Sequence, residues 1–405
     1  MHWEPIHPPE APSPSTVPAV VSFSGDHGEF RRLVTRGAWL GLITFGFYRF
    51  WLATDIRRHI WSRTDIDGDA AEYTGQGKEL LIGFLFALAI LVPIYLVYFL
   101  VSIEAERNHQ LSSAPLLVLF YLFGQFAIYR ARRYRLTRTV WRGVRFWMDG
   151  SGWAYAARAA GWSLLMLLTL GALLPWRQAA LERYKMGHSY YGDLQGRFEG
   201  QGWEFFKRGW WLWLLALVPP ALLLMVMIKH WPAQIRIEPT VSLPLLLLAP
   251  FIYGAFKAIE WRWWVSGIRF GDVAFESDLP KRALCGLYWK VIGWSVPFSS
   301  LLSGYIYICS KLLAQMGIAP FAIFSTQSKF QGSFAMLVLG GGGYLVFLFA
   351  MGVVMRVYLL RDLWARVVES TTVHNIEATA SVSVQGDLVN ALGEGLADSL
   401  DVVGF

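Results

Sequence analysis

The chain is poor in cysteine. Its 405 residues include two, Cys285 and Cys309, both within apolar stretches. They make neither a metal-ligand spacing nor a disulfide framework, and each reads as a small buried thiol. Histidine is sparse too. No two of the eight stand at i and i+4 on one helix, and H-E-x-x-H is absent, so no metal site is expected. Nucleophile motifs are missing as well: there is no G-x-S-x-G, and neither cysteine stands beside a histidine. Gly75-Gln76-Gly77-Lys78 looks like a phosphate loop but lacks the G-x-x-x-x-G-K-S/T spacing, and its lysine is followed by Glu79. These absences leave no cofactor, no metal and no catalytic residue to expect.

Acidic residues are missing where they would matter most. Leu80–Val101 and Trp210–Ile228 hold no Asp or Glu. About 20 apolar residues at 1.5 Å per residue cross a ~30 Å hydrocarbon core, so such runs exclude a soluble bundle with polar faces. A secretory signal is missing. Met1–Val20 carries six prolines and no apolar core segment, which predicts a disordered cytoplasmic tail.

What is present in excess is hydrophobic and aromatic: 55% apolar residues, with 20 Trp. Six apolar segments are candidate spans: Leu80–Ser102, Leu116–Tyr129, Phe206–Ile228, Leu243–Phe256, Ala283–Cys309 and Phe334–Val354. The net charge of +7 gathers in alternate loops, such as Arg130–Arg145 and Arg356–Arg366. Flanking basic residues are a topology signal before they are a nucleic-acid footprint, so no nucleic-acid partner is expected. The rule puts those loops, and both termini, in the cytoplasm. Gly37–Tyr48 and Gly161–Trp176 have basic loops on both sides, so each is read as a re-entrant or interfacial helix bending at its Thr-x-Gly, the alternative being a span with one flank outside despite its charge. Trp61, Trp141, Trp176, Trp263 and Trp364, beside basic clusters, read as an aromatic belt at the headgroups.

The strongest signal is an internal repeat. At a constant offset of 125 residues Thr44 falls on Thr169, Gly46 on Gly171, Trp51 on Trp176 and Arg58 on Arg183. Gly75, Gln76, Gly77 and Glu79 fall on Gly200, Gln201, Gly202 and Glu204. At an offset of 129, Val144-x-Phe146 falls on Val273-x-Phe275 and Arg133 on Arg262. A fixed period of this kind marks a repeated structural unit. It divides the chain into a tail (1–20), repeat one (21–155), repeat two (156–280), a degenerate third unit (281–375) and an acidic cytoplasmic tail (376–405). Between the helices, Val21–Gly25 alternates like a strand. Thr64–Gly77 and Tyr190–Gly200 read as hairpins, Asp67-Gly68 turning the first.

Phe23-Ser24-Gly25, Thr44-Phe45-Gly46-Phe47-Tyr48-x-x-Trp51, Arg58, Asp67-Gly68, Tyr73-Thr74-Gly75-Gln76-Gly77-Lys78-Glu79 and Gly393-Glu394-Gly395 resemble the YjgN-type family of bacterial inner-membrane proteins, a domain of unknown function. The resemblance runs from about Val21 to the end. It implies a multi-pass inner-membrane protein and no activity.

The expected fold is therefore all-α and multi-pass, with small cytoplasmic β-hairpins and tandem parallel internal repeats. The expected role is that of a non-enzymatic scaffold or accessory protein. It would contact membrane lipid and dock a protein partner through the repeated motif at its cytoplasmic face. The alternative is a transporter or lipid-handling protein with a cavity between the repeats.

Overall fold

The computed structural model describes residues 18–107, 114–212, 214–215, 239–315 and 330–386. The chain opens with β1 (Ala19–Phe23), α1 (His27–Ile43), α2 (Arg49–Ser62), β2 (Thr64–Ile66), β3 (Asp69–Ala70) and β4 (Glu72–Tyr73). Two long helices follow, α3 (Gly77–Arg107) and α4 (Ala114–Thr137), then β5 (Thr139–Trp141) and β6 (Val144–Met148). Next are α5 (Gly152–Leu168), α6 (Leu174–Gly187), β7 (Ser189–Tyr191) and β8 (Leu194–Phe198). A helix α7 (202–212) precedes α8 (Pro239–Gly267), β9 (Ile268–Phe270) and β10 (Val273–Ser277). The chain continues through α9 (Cys285–Gln315), α10 (Phe330–Met355), a π-helical stretch (Arg356–Asp362), α11 (Leu363–Glu369) and β11 (Thr371–His374).

The fold is not all-α with separate small hairpins. Its short strands join into one eleven-stranded sheet, in the order β3-β2-β1-β11-β10-β9-β8-β7-β6-β5-β4. Every pairing between neighbours is antiparallel. The two edge strands, β3 and β4, are separated in the chain by Ala71 alone, so the sheet curls into a nearly closed barrel. Side chains stitch the seam. Trp141 Nε1 donates to the Asp69 carbonyl at 3.1 Å, and Arg142 reaches Asp67 at 2.8 Å and Asp69 at 2.6 Å. A strand of two to five residues has no stability alone; pairing all eleven removes almost every free edge.

A recurring local device makes each strand begin where a helix stops. At four helix-to-strand junctions a hydroxyl on the first strand residue donates back to the carbonyl four residues earlier. The pairs are Thr64 to Ile60 (2.8 Å), Thr139 to Arg135 (2.9 Å), Ser189 to Lys185 (2.8 Å) and Thr371 to Val367 (2.7 Å). Each bond satisfies a carbonyl that the helix end leaves without a partner. Tight turns then reverse the chain. Asp67-Gly68 and Arg142-Gly143 each place two consecutive residues at positive φ, the requirement of a two-residue turn matched to strand twist.

Aromatic side chains fill the barrel. Trp61 and Trp364 stack at 5.9 Å with their planes 5° apart, and Trp141 lies against Tyr191. Each polar indole edge is satisfied: Trp61 donates to Thr139 and Trp364 to Thr64. Trp141 is buried, and Trp61 and Trp364 are half-buried against the barrel core. Trp263 is also buried, stacked on Phe205. A basic neighbour in the sequence marks the end of a helix, and that is also where the sheet begins.

Three helical segments among the described residues are long and apolar enough to cross a membrane: Gly77–Ser102, Cys285–Gln315 and Leu339–Glu369. This is fewer than the six expected. The apolar part of α4 is interrupted by Arg130, Arg132 and Arg133. Expected span Phe206–Ile228 falls mostly outside the described residues, as does the acidic tail beyond 386.

Gly37–Tyr48 and Gly161–Trp176 are not kinked helices but helical hairpins. α1 ends at Thr44, whose hydroxyl donates to Leu40 O at 2.7 Å and accepts from Tyr48 N at 3.0 Å. Phe45 and Gly46 then take positive φ, and α2 runs back. Thr169, Leu170 and Gly171 repeat this between α5 and α6. Both tips are apolar and open: Phe45 is 88% and Leu170 is 87% exposed.

Candidate functional site

An apolar cavity opens between α1, α9 and α10. It encloses about 380 Å³. Its walls are Ala38, Trp39 and Leu42 from α1, Trp294 and Phe298 from α9, and Val346, Phe349 and Val353 from α10. Two of the three wall-forming helices are thus candidate spans. Along α1 the lining runs from His27 to Leu42, ~22 Å at the helical rise. Close packing near Gly41 holds α1 against α10; a Cβ there would meet Phe349 at 2.8 Å.

One end of this groove is basic. His27 and Arg31 line it. Lys290 sits one helical turn from Trp294, with its Nζ 5.3 Å from the centre of the Tyr358 ring. The Tyr358 hydroxyl accepts from Trp294 Nε1 at 3.3 Å. A carboxylate, Asp362, lies nearby. It is paired at 2.6 Å with Arg361 and is 3.9 Å from His27. Neither Arg31 nor Lys290 forms an ion pair among the described residues. α1 is set in place by Asp26, whose side chain accepts from Glu29 N at 2.7 Å. That backbone bond holds the Asp26 carboxyl below the usual range.

The arrangement is an apolar slot with a cationic mouth. The sequence reading did not find it, because its residues come from the first and third units and carry no shared spacing. A second cavity, about 200 Å³, lies inside the barrel among Trp61, Trp141, Phe146 and Tyr191.

The sequence model of a family described as bacterial protein of unknown function (DUF898) matches residues 18–399. The chain belongs to this family. No curated protein and no solved structure matches it.

In this DUF898 chain the repeated motif residues lie elsewhere, in two like-built clasps. Arg58 donates to the Gly75 carbonyl at 2.8 Å, and Arg183 to the Gly200 carbonyl at 3.3 Å. A Cβ on Gly77 would lie 2.9 Å from the Trp51 backbone, and one on Gly202 would lie 2.9 Å from that of Trp176. The second glycine of Gly-Gln-Gly therefore lets α3 or α7 start against α2 or α6. Gln76 O accepts from Glu79 N, and Gln201 O from Trp263 Nε1. The two acids differ. Glu79 is bound by Arg138 and Tyr134, whereas Glu204 is exposed. Thr44, Gly46, Thr169 and Gly171 form the hairpin tips described above. In each clasp the arginine donates to the backbone of the Gly-Gln-Gly turn, which joins α2 to the start of α3 and α6 to the start of α7.

Arg58→Ala and Arg183→Ala should each cost about 1 kcal/mol, the low end for a charge-assisted bond at a partly exposed site. The double variant should cost the sum, because the two clasps share no partner. Thermal unfolding of detergent-purified protein reads this out. A double variant no worse than either single would show that the clasps are not separate.

Proposed function

We propose that the protein is a lipid-handling protein of the bacterial inner membrane. It holds an acyl chain of an anionic lipid in the groove between α1, α9 and α10, with the headgroup at His27, Arg31 and Lys290. The carrying observation is the union of apolar walls from two candidate spans with a basic mouth, beside which Asp362 is already paired with Arg361 and Asp26 is held by the α1 backbone. Exposed apolar tips support an embedded location, since surfaces like Phe45 and Leu170 are disfavoured in water. In this reading the chain is multi-pass, carries tandem repeats and no enzymatic activity, and keeps both termini in the cytoplasm. The α1–α2 and α5–α6 hairpins dip part-way into the bilayer beside the spans.

Docking of a protein partner by the cytoplasmic hairpins has less support. Their strands are paired with one another round the barrel, which leaves turn side chains as the available surface.

The test is lipid analysis of the protein purified in mild detergent, by native mass spectrometry. An anionic phospholipid should be retained at about one per chain. Ala350 of α10 also lines the groove, and Ala350→Phe, which fills it, should reduce retention at least about tenfold. Arg31→Gln with Lys290→Gln should remove the preference for anionic over zwitterionic lipid. Unchanged lipid content in Ala350→Phe, with the variant melting as the parent does, would sink the assignment.

A further inference from the structure

A third cavity, of about 290 Å³, lies between α4, α6 and α8, far from the groove in sequence and built from charge where the groove is apolar. Its polar lining is Arg132 from α4, Gln178, Glu182 and Lys185 from α6, and Lys257 and Glu260 from α8. Each carboxylate already has its own lysine. Lys185 is hydrogen-bonded to Glu182, and Lys257 donates to Glu260 at 2.6 Å. Trp264 Nε1 adds a bond to Glu182 at 3.1 Å, and Gln178 Nε2 adds one to Glu260 at 2.6 Å.

Arg132 is the cation left over. Its guanidinium stands 3.7 Å from Glu182, donates to the Met186 sulfur, and has a buried Nε without a partner. The Arg132 side chain is 19% exposed. Three cations thus face two carboxylates. The bond to Glu260 also fixes the Gln178 amide, so its Oε1 points the other way, buried and without a partner. A charge that shares its only carboxylate with a lysine is incompletely compensated, and an unpaired buried acceptor adds to that cost.

Burial weighs against the charge of Arg132 and Lys185 and holds both below their usual range. At Glu182 burial is outweighed by Lys185 and Arg132, which hold the carboxyl below the usual carboxylate range.

The fold does not require this cluster. At the offset of 125 the positions of Gln178, Glu182 and Lys185 are held by Ala53, Arg57 and Ile60; at 129 those of Lys257 and Glu260 are held by Ile128 and Ala131. The same scaffold is therefore built elsewhere in the chain without a charged cavity.

We propose that this cavity binds a small oxyanion, a carboxylate or a phosphate. The ligand's charge answers Arg132, a hydroxyl on it donates to Gln178 Oε1, and the indoles of Trp261 and Trp264 form the apolar side.

Calorimetric titration of the full chain in detergent, at constant ionic strength in chloride, tests this with two probes: sodium phosphate and sodium 4-hydroxybenzoate. Saturable binding of either, at one site per chain, is expected. Phosphate alone would assign the site to phosphate, hydroxybenzoate alone to carboxylates, and both to oxyanions in general. Arg132→Gln should weaken binding at least tenfold. Glu260→Gln, which leaves one more uncompensated positive charge, should tighten it several-fold, a gain that a structural role alone would not produce. The idea is overturned if neither probe saturates the parent protein. It is overturned equally if both variants fold and bind as the parent does. The groove assignment is untouched by either result, because it is read from retained lipid.

Discussion

Replacing Glu79 with alanine is expected to destabilise the protein by about 3 kcal/mol, the low end for removing one partner of a buried ion pair, because Arg138 is buried while Glu79 is 28% exposed. Glu79 stands in the first turn of α3, where the helix dipole already favours a carboxylate. Arg138 holds it with two parallel bonds of 2.9 and 3.0 Å, and the Tyr134 hydroxyl donates a third at 2.8 Å. The Arg138 side chain is 8% exposed, so its charge has no water to fall back on. Burial is the main cause that pushes the Tyr134 phenol pKa up, which keeps that group a donor. Arg138 is fixed from its backbone too, since its carbonyl accepts from Thr74 N at 2.8 Å and from the Thr74 hydroxyl at 3.1 Å. One residue thus ties the start of α3 and strand β4 to the end of α4 and strand β5. Glu79→Gln should cost less, because the amide oxygen still accepts from Tyr134. The pair Glu79→Leu with Arg138→Met should recover a large part of the loss, since no charge is then left buried. Thermal or detergent-induced unfolding measures all three. If Glu79→Ala melts with the parent, the bridge is not what holds these helices to the barrel.

Much of the local structure was legible in the residues. Alternation found β1 at Val21, β6 at Val144-x-Phe146 and β10 at Val273-x-Phe275, and Asp67-Gly68 marked its turn. Pairing was not legible. Val20 of β1 meets Thr372 of β11 across almost the whole chain, and strands this short encode no register of their own. Tyr73 shows the consequence. Read as the return strand of the hairpin at Asp67-Gly68, it pairs instead with Thr139 of β5. The hydroxyls that end four helices were equally hidden, because a lone Ser or Thr after a basic helix is no motif until its partner four residues back is known to be helical. Long apolar helices dominated the composition, and the strands between them were too brief to register as a sheet.

The sites divide the same way. The constant offset of 125 pointed to the two clasps, because Arg58 and Arg183 make the same bond to a Gly-Gln-Gly carbonyl. By the same logic it passed over whatever occurs once. The groove is assembled from α1, α9 and α10, whose lining residues share no common offset. The charged cavity was within reach: Glu182 with Lys185 and Lys257 with Glu260 are opposite charges at i and i+3, and both pairs vanish at the matching offset. Departure from the repeat was the useful signal there.

Removal of β1 is expected to abolish folding. This strand is the piece that joins the last unit to the first. It pairs with β2 through Val21, Ser22 and Phe23, and with β11 through Ala19 and Val20. Without it β2 and β11 each present an unpaired edge, the condition that promotes edge-to-edge aggregation. The aromatic core beneath would also open to solvent. Deleting residues 1–24 should therefore leave no monodisperse protein on size-exclusion chromatography of a fluorescent fusion. Point changes separate this from a mere effect of truncation. Val21 is 5% exposed and faces the barrel core; its neighbour Val20 is 64% exposed. Val21→Asp should cost about 3–5 kcal/mol, because it places an unpaired charge among Val373, Trp141 and their neighbours. Val20→Asp, on the opposite face of the same strand, should cost less than about 0.5 kcal/mol. Equal behaviour of these two variants would mean that β1 does not seat with one face inward. A monodisperse, normally abundant deletion protein would mean that the barrel closes without it.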